Sequence, residues 1–299
     1  MGGHRHSSLS NKVDYATFDG FDLSDPDLTC HPPADFPFGI ETRGAPILIQ
    51  RNDQGQDEFL VCFTLSDNAV DQRCRHYNQT AQSWEEDDIA VDSTPRHFTT
   101  IYLANGSYLL TSGQTSWIYD KQGGLRPGYK FDYSLTLGCA VQLSTDEFFF
   151  MQGPPVIINI RTKTKAEFYD WGVPSGVSQN FVHTHCGVVR DNFGKARHLV
   201  IAGGQHVGDY TQILDLETMT WSDGPRLPSY LSAGAVVPHK RSFIIMGGWK
   251  GNFGEDGYSN QLWEFNPDQF EWIIRPETLT NKVALSLAVL VDDDMMVCD

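Results

Sequence analysis

At 299 residues, with 40% hydrophobic, 12% aromatic and 20% charged side chains, the chain is long enough to bury a substantial core. Its 22 Lys and Arg against 38 Asp and Glu leave a formal net charge of −16, which argues against nucleic acid or anionic membrane as a general partner, since both demand a cationic surface. No segment shows sustained helical spacing and none approaches the roughly 18 apolar residues of a membrane span, so an almost all-β chain without membrane insertion is expected.

The opening MGGHRHSSLS holds no apolar run of signal-peptide length. Taken literally, this leaves the chain in the cytoplasm, and His6 stands where a myristoylation motif needs Ser or Thr. Yet Met1-Gly2-Gly3 followed by SNKVDYATF looks like Met246-Gly247-Gly248 followed by SNQLWEF, as if the chain started inside a repeat. A beginning that has lost its signal peptide, and with it a secreted protein, is the alternative.

From residue 45 one pattern recurs. A strand candidate at 45–51 precedes FLVCFT and a segment ending at Trp84; one at 97–104 precedes LLTSGQ and SWIYDKQGG; one at 135–143 precedes FFFMQG and VIINI. The candidate at 184–189 precedes the fullest copy, HLVIAGGQHVGDYTQILDLETMTW, and that at 233–237 precedes FIIMGGW and NQLWEFNPDQFEW. A last candidate, 285–291, precedes the final MMVCD. In the fullest copy an apolar strand ends in Gly203-Gly204, a polar loop follows, a second strand alternates, and Glu217-Thr218 turns the chain into a strand closed by Trp221. Adjacent glycines at the end of a buried strand permit φ > 0 and close approach of a neighbouring backbone. Gly247 lies 44 residues after Gly203, and four-stranded units at a period of roughly 40 to 50 residues point to a propeller.

The double glycines at 203–204 and 247–248, the segments ILDLETMTW and WEFNPDQFEW, and the turns at Pro225-Arg226-Leu227 and Pro95-Arg96-His97 resemble kelch-repeat β-propellers, including the central domain of galactose oxidase-like proteins. The resemblance implies one all-β domain over residues 1–299, a six-bladed propeller of four-stranded blades. The blades fall near 45–90, 91–131, 132–175, 176–226 and 227–276, with a sixth made of 277–299 plus 10–32. Gly203, Gly204, Gly247, Gly248, Trp84, Trp221 and Trp272 then take structural roles. The sixth blade joins the two ends, with Cys30 at the place held by the three tryptophans, and removes the edges a broken ring would leave. An open fragment of a longer protein is the alternative.

In this register Cys62 on the second strand of the first blade faces Cys74 on the next strand, and Cys30 bridges Cys298 to lock the ring. Cys139 and Cys186, on inner strands, read as buried thiols. Sequons at Asn78-Gln79-Thr80 and Asn105-Gly106-Ser107 fall at turns.

The sharpest chemical cluster is His183-Thr184-His185-Cys186, where alternation puts the two imidazoles on one face. Two His with one further ligand type nearby read better as a polar strand at a channel mouth than as a metal site, so neither metal nor cofactor is expected. The resemblance sends the loops after the glycines and the turns between blades to one rim, collecting Arg96, His97, Gln114, His183, His206, Tyr230, Trp249 and Lys250 there. Aromatic and cationic side chains on a rigid rim suit partner recognition. The expected function is therefore a non-catalytic, monomeric module that binds a protein partner, as kelch substrate adaptors and cytoskeleton-binding proteins do. The alternatives are a secreted extracellular module and a propeller enzyme of the oxidase or sugar-epimerase class.

Overall fold

The computed structural model describes residues 30–31, 47–51, 57–62, 73–78, 81–90, 99–103, 107–112, 114–120, 124–131, 139–151, 155–162, 164–167, 183–205, 207–251, 257–283 and 297–298. Strand β1 (Cys30–His31) comes first. Blade one then runs β2 (Ile47–Arg51), β3 (Asp57–Cys62), β4 (Arg73–Asn78) and β5 (Ser83–Ala90). Blade two is β6 (Thr99–Tyr102), β7 (Tyr108–Ser112), β8 (Thr115–Asp120) and β9 (Gly124–Lys130). Blade three is β10 (Cys139–Gln142), β11 (Glu147–Met151), β12 (Pro155–Asn159) and β13 (Thr164–Glu167). Blade four is β14 (His185–Arg190), β15 (Ala196–Ala202), β16 (Thr211–Asp215) and β17 (Thr220–Asp223). Blade five is β18 (Ala235–His239), β19 (Ser242–Met246), β20 (Ser259–Asn266) and β21 (Glu271–Val283), and β22 (Val297–Cys298) closes the series. Each blade is an antiparallel meander in chain order, and the first strands of successive blades, β6, β10, β14 and β18, contact one another. The chain is thus an all-β propeller of four-stranded blades.

Second strands read as unbroken apolar runs because a blade is packed on both faces. On β15, Leu199 and Ile201 point into a core shared with Phe149, Met151 and Ile157 of blade three. Their alternating neighbours Val200 and Ala202 point into a core shared with Phe243, Ile245, Trp263 and Phe265 of blade five. Gly187 on β14 has no alternative, since a Cβ there would lie 2.1 Å from the Phe243 ring. The third strands of blades one, three, four and five end in a side-chain cap. Asn159, Asp215 and Asn266 each accept two backbone N–H bonds from the turn that follows, and Asn78 accepts one from Ala81. The Thr218 and Glu217 amides hold the Asp215 carboxyl below its ordinary range.

Trp272 is buried and donates its Nε1–H across the seam to Thr211 Oγ1 at 3.0 Å. Trp221 is half-buried against the core between blades three and four, and Trp84, also half-buried, tilts against Tyr77 with ring centroids 5.2 Å apart.

Three expectations are corrected. First, the described residues contain five four-stranded blades rather than six. The two ends meet in a two-residue ladder, Cys30 opposite Cys298 and His31 opposite Val297, and the remaining terminal residues lie outside the described ones. Second, Cys30 matches Cys74 rather than Trp84, because Cys30 faces Cys298 in the way that Cys74 faces Cys62 between β4 and β3. Third, Cys139 and Cys186 are bonded to each other rather than free thiols, with Cα atoms 5.6 Å apart. Both sit on first strands, which converge between blades three and four and bring residues 47 apart in sequence into bridging range.

Candidate partner-binding rim

The double glycines place the rim. Gly203, in the left-handed region at φ 61°, lies so close to the chain entering blade five that a Cβ would come within 2.2 Å of the Leu231 carbonyl oxygen. Gly204, at φ 120°, donates its N–H to that same carbonyl at 2.9 Å. One blade later Gly247 and Gly248 repeat the geometry, at φ 67° and 101°, and a Gly248 Cβ would stand 2.9 Å from the Ser232 oxygen. The loop after β15, the lead-in to β18 and the loop after β19 are thereby drawn together over blades four and five.

Trp249 sits at the centre of this junction. Its backbone exchanges hydrogen bonds with Ser232 on one side, at 2.7 and 3.0 Å, and forms a β-bridge to Tyr258 on the other. Its ring stacks on His183 at 6.1 Å between centroids and 21° between planes, and on Tyr258 at 6.1 Å and 23°. All three rings are half-buried, so the three-ring ladder is partly open to solvent. Beside it Lys250 donates from Nζ to Gln261 Oε1 and lies 5.8 Å from the centroid of the Trp263 ring. Burial, with Lys282 nearby, lowers the Lys250 pKa. Tyr230 donates its hydroxyl hydrogen to the Gln205 carbonyl, and burial raises its phenol pKa.

The two histidines part company. His183 precedes β14 in the left-handed region at φ 63°, which breaks the alternation that would have set both rings on one face. His185 is buried, with Nδ1 3.0 Å from the Ala202 carbonyl oxygen and Nε2 accepting the Gly234 N–H at 2.8 Å. Facing a carbonyl on one side and an amide on the other, the ring is the neutral Nδ1–H tautomer. Burial is the main cause that lowers its pKa to about 4. Both nitrogens are committed to the backbone, so His185 has no lone pair for a metal, and no group of three or more His, Cys, Asp and Glu among the described residues could hold one.

His183, Trp249 and Lys250 thus come together, with Tyr230 on the adjoining loop. Gln114 is exposed in the β7–β8 turn of blade two, where its carbonyl accepts the Phe131 N–H, away from the ladder. Arg96, His97 and His206 lie outside the described residues, as does the sequon residue Asn105. Tyr258 and Gln261 escaped the sequence reading. The available signal was a second aromatic residue in the loop that holds Trp249, closed by Gly257.

No family model and no curated protein matches this sequence. Among solved structures, the chain is similar to one titled "Structure of YjhT", at a TM-score of 0.60 and 10% identity, over 89% of this chain and 97% of that one. At that identity the likeness carries the propeller fold alone.

Proposed function

We propose that this propeller is a non-catalytic protein-binding module of kelch type and that it docks its partner on the rim over blades four and five. The observation that carries this reading is the His183–Trp249–Tyr258 ladder, whose central residue is held by backbone bonding on both sides. Aromatic side chains fixed before binding lose little conformational entropy on docking, which is what interface anchors require. The test is photo-crosslinking from position 205, whose carbonyl holds Tyr230 beside the ladder, with position 193 in the β14–β15 turn of the opposite rim as control. Adducts should form from 205 and not from 193, and excess unlabelled protein should suppress them where the Trp249→Ala protein does not. Equal adducts from both positions would sink the reading.

A second reading, compatible with the first, is that the module works in an oxidising, extracellular setting and closes its ring as a sixth blade. The Cys139–Cys186 bond and the opposed backbone positions of Cys30 with Cys298 and Cys62 with Cys74 support it. A non-reducing peptide map of protein made in a secretory host should contain a Cys30–Cys298 peptide. Recovery of those two cysteines as free thiols would remove the case.

A further inference from the structure

Of the four residues that cap a third strand, one also carries a modification motif. Asn159, Asp215 and Asn266 are followed by Ile160-Arg161, Leu216-Glu217 and Pro267-Asp268, whereas Asn78 is followed by Gln79-Thr80, the acceptor sequence for an N-linked sugar. Asn78 is the last residue of β4 and stands opposite Ser83 of β5. Tyr77 before it is buried, while Ala81, Gln82 and Glu85 beyond it are exposed, so the chain passes from core to solvent at this residue.

The two ends of the Asn78 carboxamide have separate tasks. Ala81 donates its N–H to Oδ1 at 3.0 Å, which identifies the oxygen, and Nδ2 then donates to Oε1 of the exposed Glu85 at 2.8 Å. The turn is capped by the oxygen alone. N-glycosylation consumes one Nδ2 hydrogen, keeps Oδ1 as an acceptor and leaves one N–H that Glu85 can still accept, so the modified side chain caps the turn as before. A meander also puts the turn after a third strand at the opposite end of the blade from the loop after a second strand. A sugar on Asn78 therefore stands on the rim opposite the His183–Trp249–Tyr258 ladder.

We infer that Asn78 carries an N-linked oligosaccharide, attached as the chain enters a secretory compartment, which shields the far rim of blade one and leaves the ladder rim open. The inference rests on the extracellular reading given above. In the transfer, Nδ2 bonds to the anomeric carbon of a lipid-pyrophosphate-linked oligosaccharide, the bond from that carbon to the pyrophosphate oxygen breaks, and the nitrogen gives up one proton. Nothing is oxidised or reduced.

The full chain is made in a secretory host, and its tryptic peptides are compared before and after peptide-N-glycosidase treatment in heavy-oxygen water. The peptide beginning at His76 should appear only after treatment, with Asn78 converted to an aspartate that carries heavy oxygen. Thr80→Ala should remove the mass of one oligosaccharide from the intact protein and Thr80→Ser should keep it. Neither change touches the capping atoms, so the Thr80→Ala protein and the enzymatically trimmed protein should melt at the same temperature as the glycosylated one. Recovery of the unmodified His76 peptide from secreted protein would overturn the inference, and a Cys30–Cys298 bridge in that same sample would show that the extracellular reading survives it. A modified Asn78 beside free Cys30 and Cys298 would confirm the sugar and remove the ring closure instead. Crosslinking from position 205 should be the same with and without the sugar, and adducts that form only in Thr80→Ala would overturn its placement on the far rim.

Discussion

His185 Nε2 accepts the Gly234 amide hydrogen at 2.8 Å across the seam between blades four and five. The bond reaches further through its neighbours. Ala233, one residue before, donates to the His183 carbonyl at 3.0 Å, and Ser232 holds Trp249. A ring buried in β14 thus fixes the loop on which the aromatic ladder is mounted.

The first prediction is a pH dependence. Protonation would turn Nε2 from acceptor to donor against an N–H group, and the folded pKa is lowered from 6.5 to about 4. Between these values the unfolded chain binds the proton and the folded chain does not, so stability rises with pH over that window and is lost as pH falls through it. The share is at most about 3 kcal/mol, from the energy of one pKa unit. Melting temperatures from pH 7 to 4 should fall, and the part of the slope due to this ring should be absent in His185→Gln. A slope unchanged by the substitution would refute the role.

The second prediction separates two tryptophans that the sequence treats alike. Trp272→Ala should cost about 3 to 5 kcal/mol through lost burial and the cavity it leaves. Trp221→Ala should cost clearly less, because Trp221 is only half-buried. Urea denaturation of the two variants decides it, and equal losses would contradict the packing described.

A third prediction contrasts two glycines of similar backbone. Gly194, at φ 78°, has nothing within 4 Å of an added Cβ, so Gly194→Ala should cost about 1 kcal/mol for the left-handed conformation alone. Gly203→Ala must in addition displace the Leu231 carbonyl and should cost markedly more. Comparable midpoints for the two variants would mean that the rim loops pack more loosely than the distances imply.

The fourth prediction concerns the bond between blades three and four. Cys139 and Cys186 enclose 47 residues of sequence separation, and the chain-entropy model assigns a loop of that size about 4 kcal/mol, with native strain able to reduce it. Treatment with a dithiol, or a Cys139→Ser/Cys186→Ser double variant, should lower the denaturation midpoint while leaving the β-sheet circular dichroism signal. An unchanged midpoint would show that the bond adds nothing to stability.

Much of the architecture was legible because a blade writes itself locally. The apolar run of β15, its glycine end, the alternation in β16 and the Glu217-Thr218 turn all lie within one short stretch. Facing of Cys62 with Cys74 was legible too, since β3 and β4 are joined directly. Contacts between blades were not. The Cys139–Cys186 bond and the His185–Gly234 hydrogen bond join residues more than 45 apart, and no local period records which face of a first strand meets the next blade. The left-handed turn at His183 also escaped, because a non-glycine residue there is held by its tertiary contacts rather than by intrinsic preference. The sixth blade was inferred from the ends of the chain, and the described residues there amount to one two-residue ladder.

Because Leu199 and Val200 on β15 serve opposite cores, blade four has no interior of its own. Every second strand so placed is common property of two neighbours, and a blade cut out of the ring would expose apolar surface on both faces at once. Hydrogen exchange should accordingly show β11, β15 and β19 opening together in the slowest phase, as a single cooperative unit, with the outer strands β17 and β21 exchanging earlier.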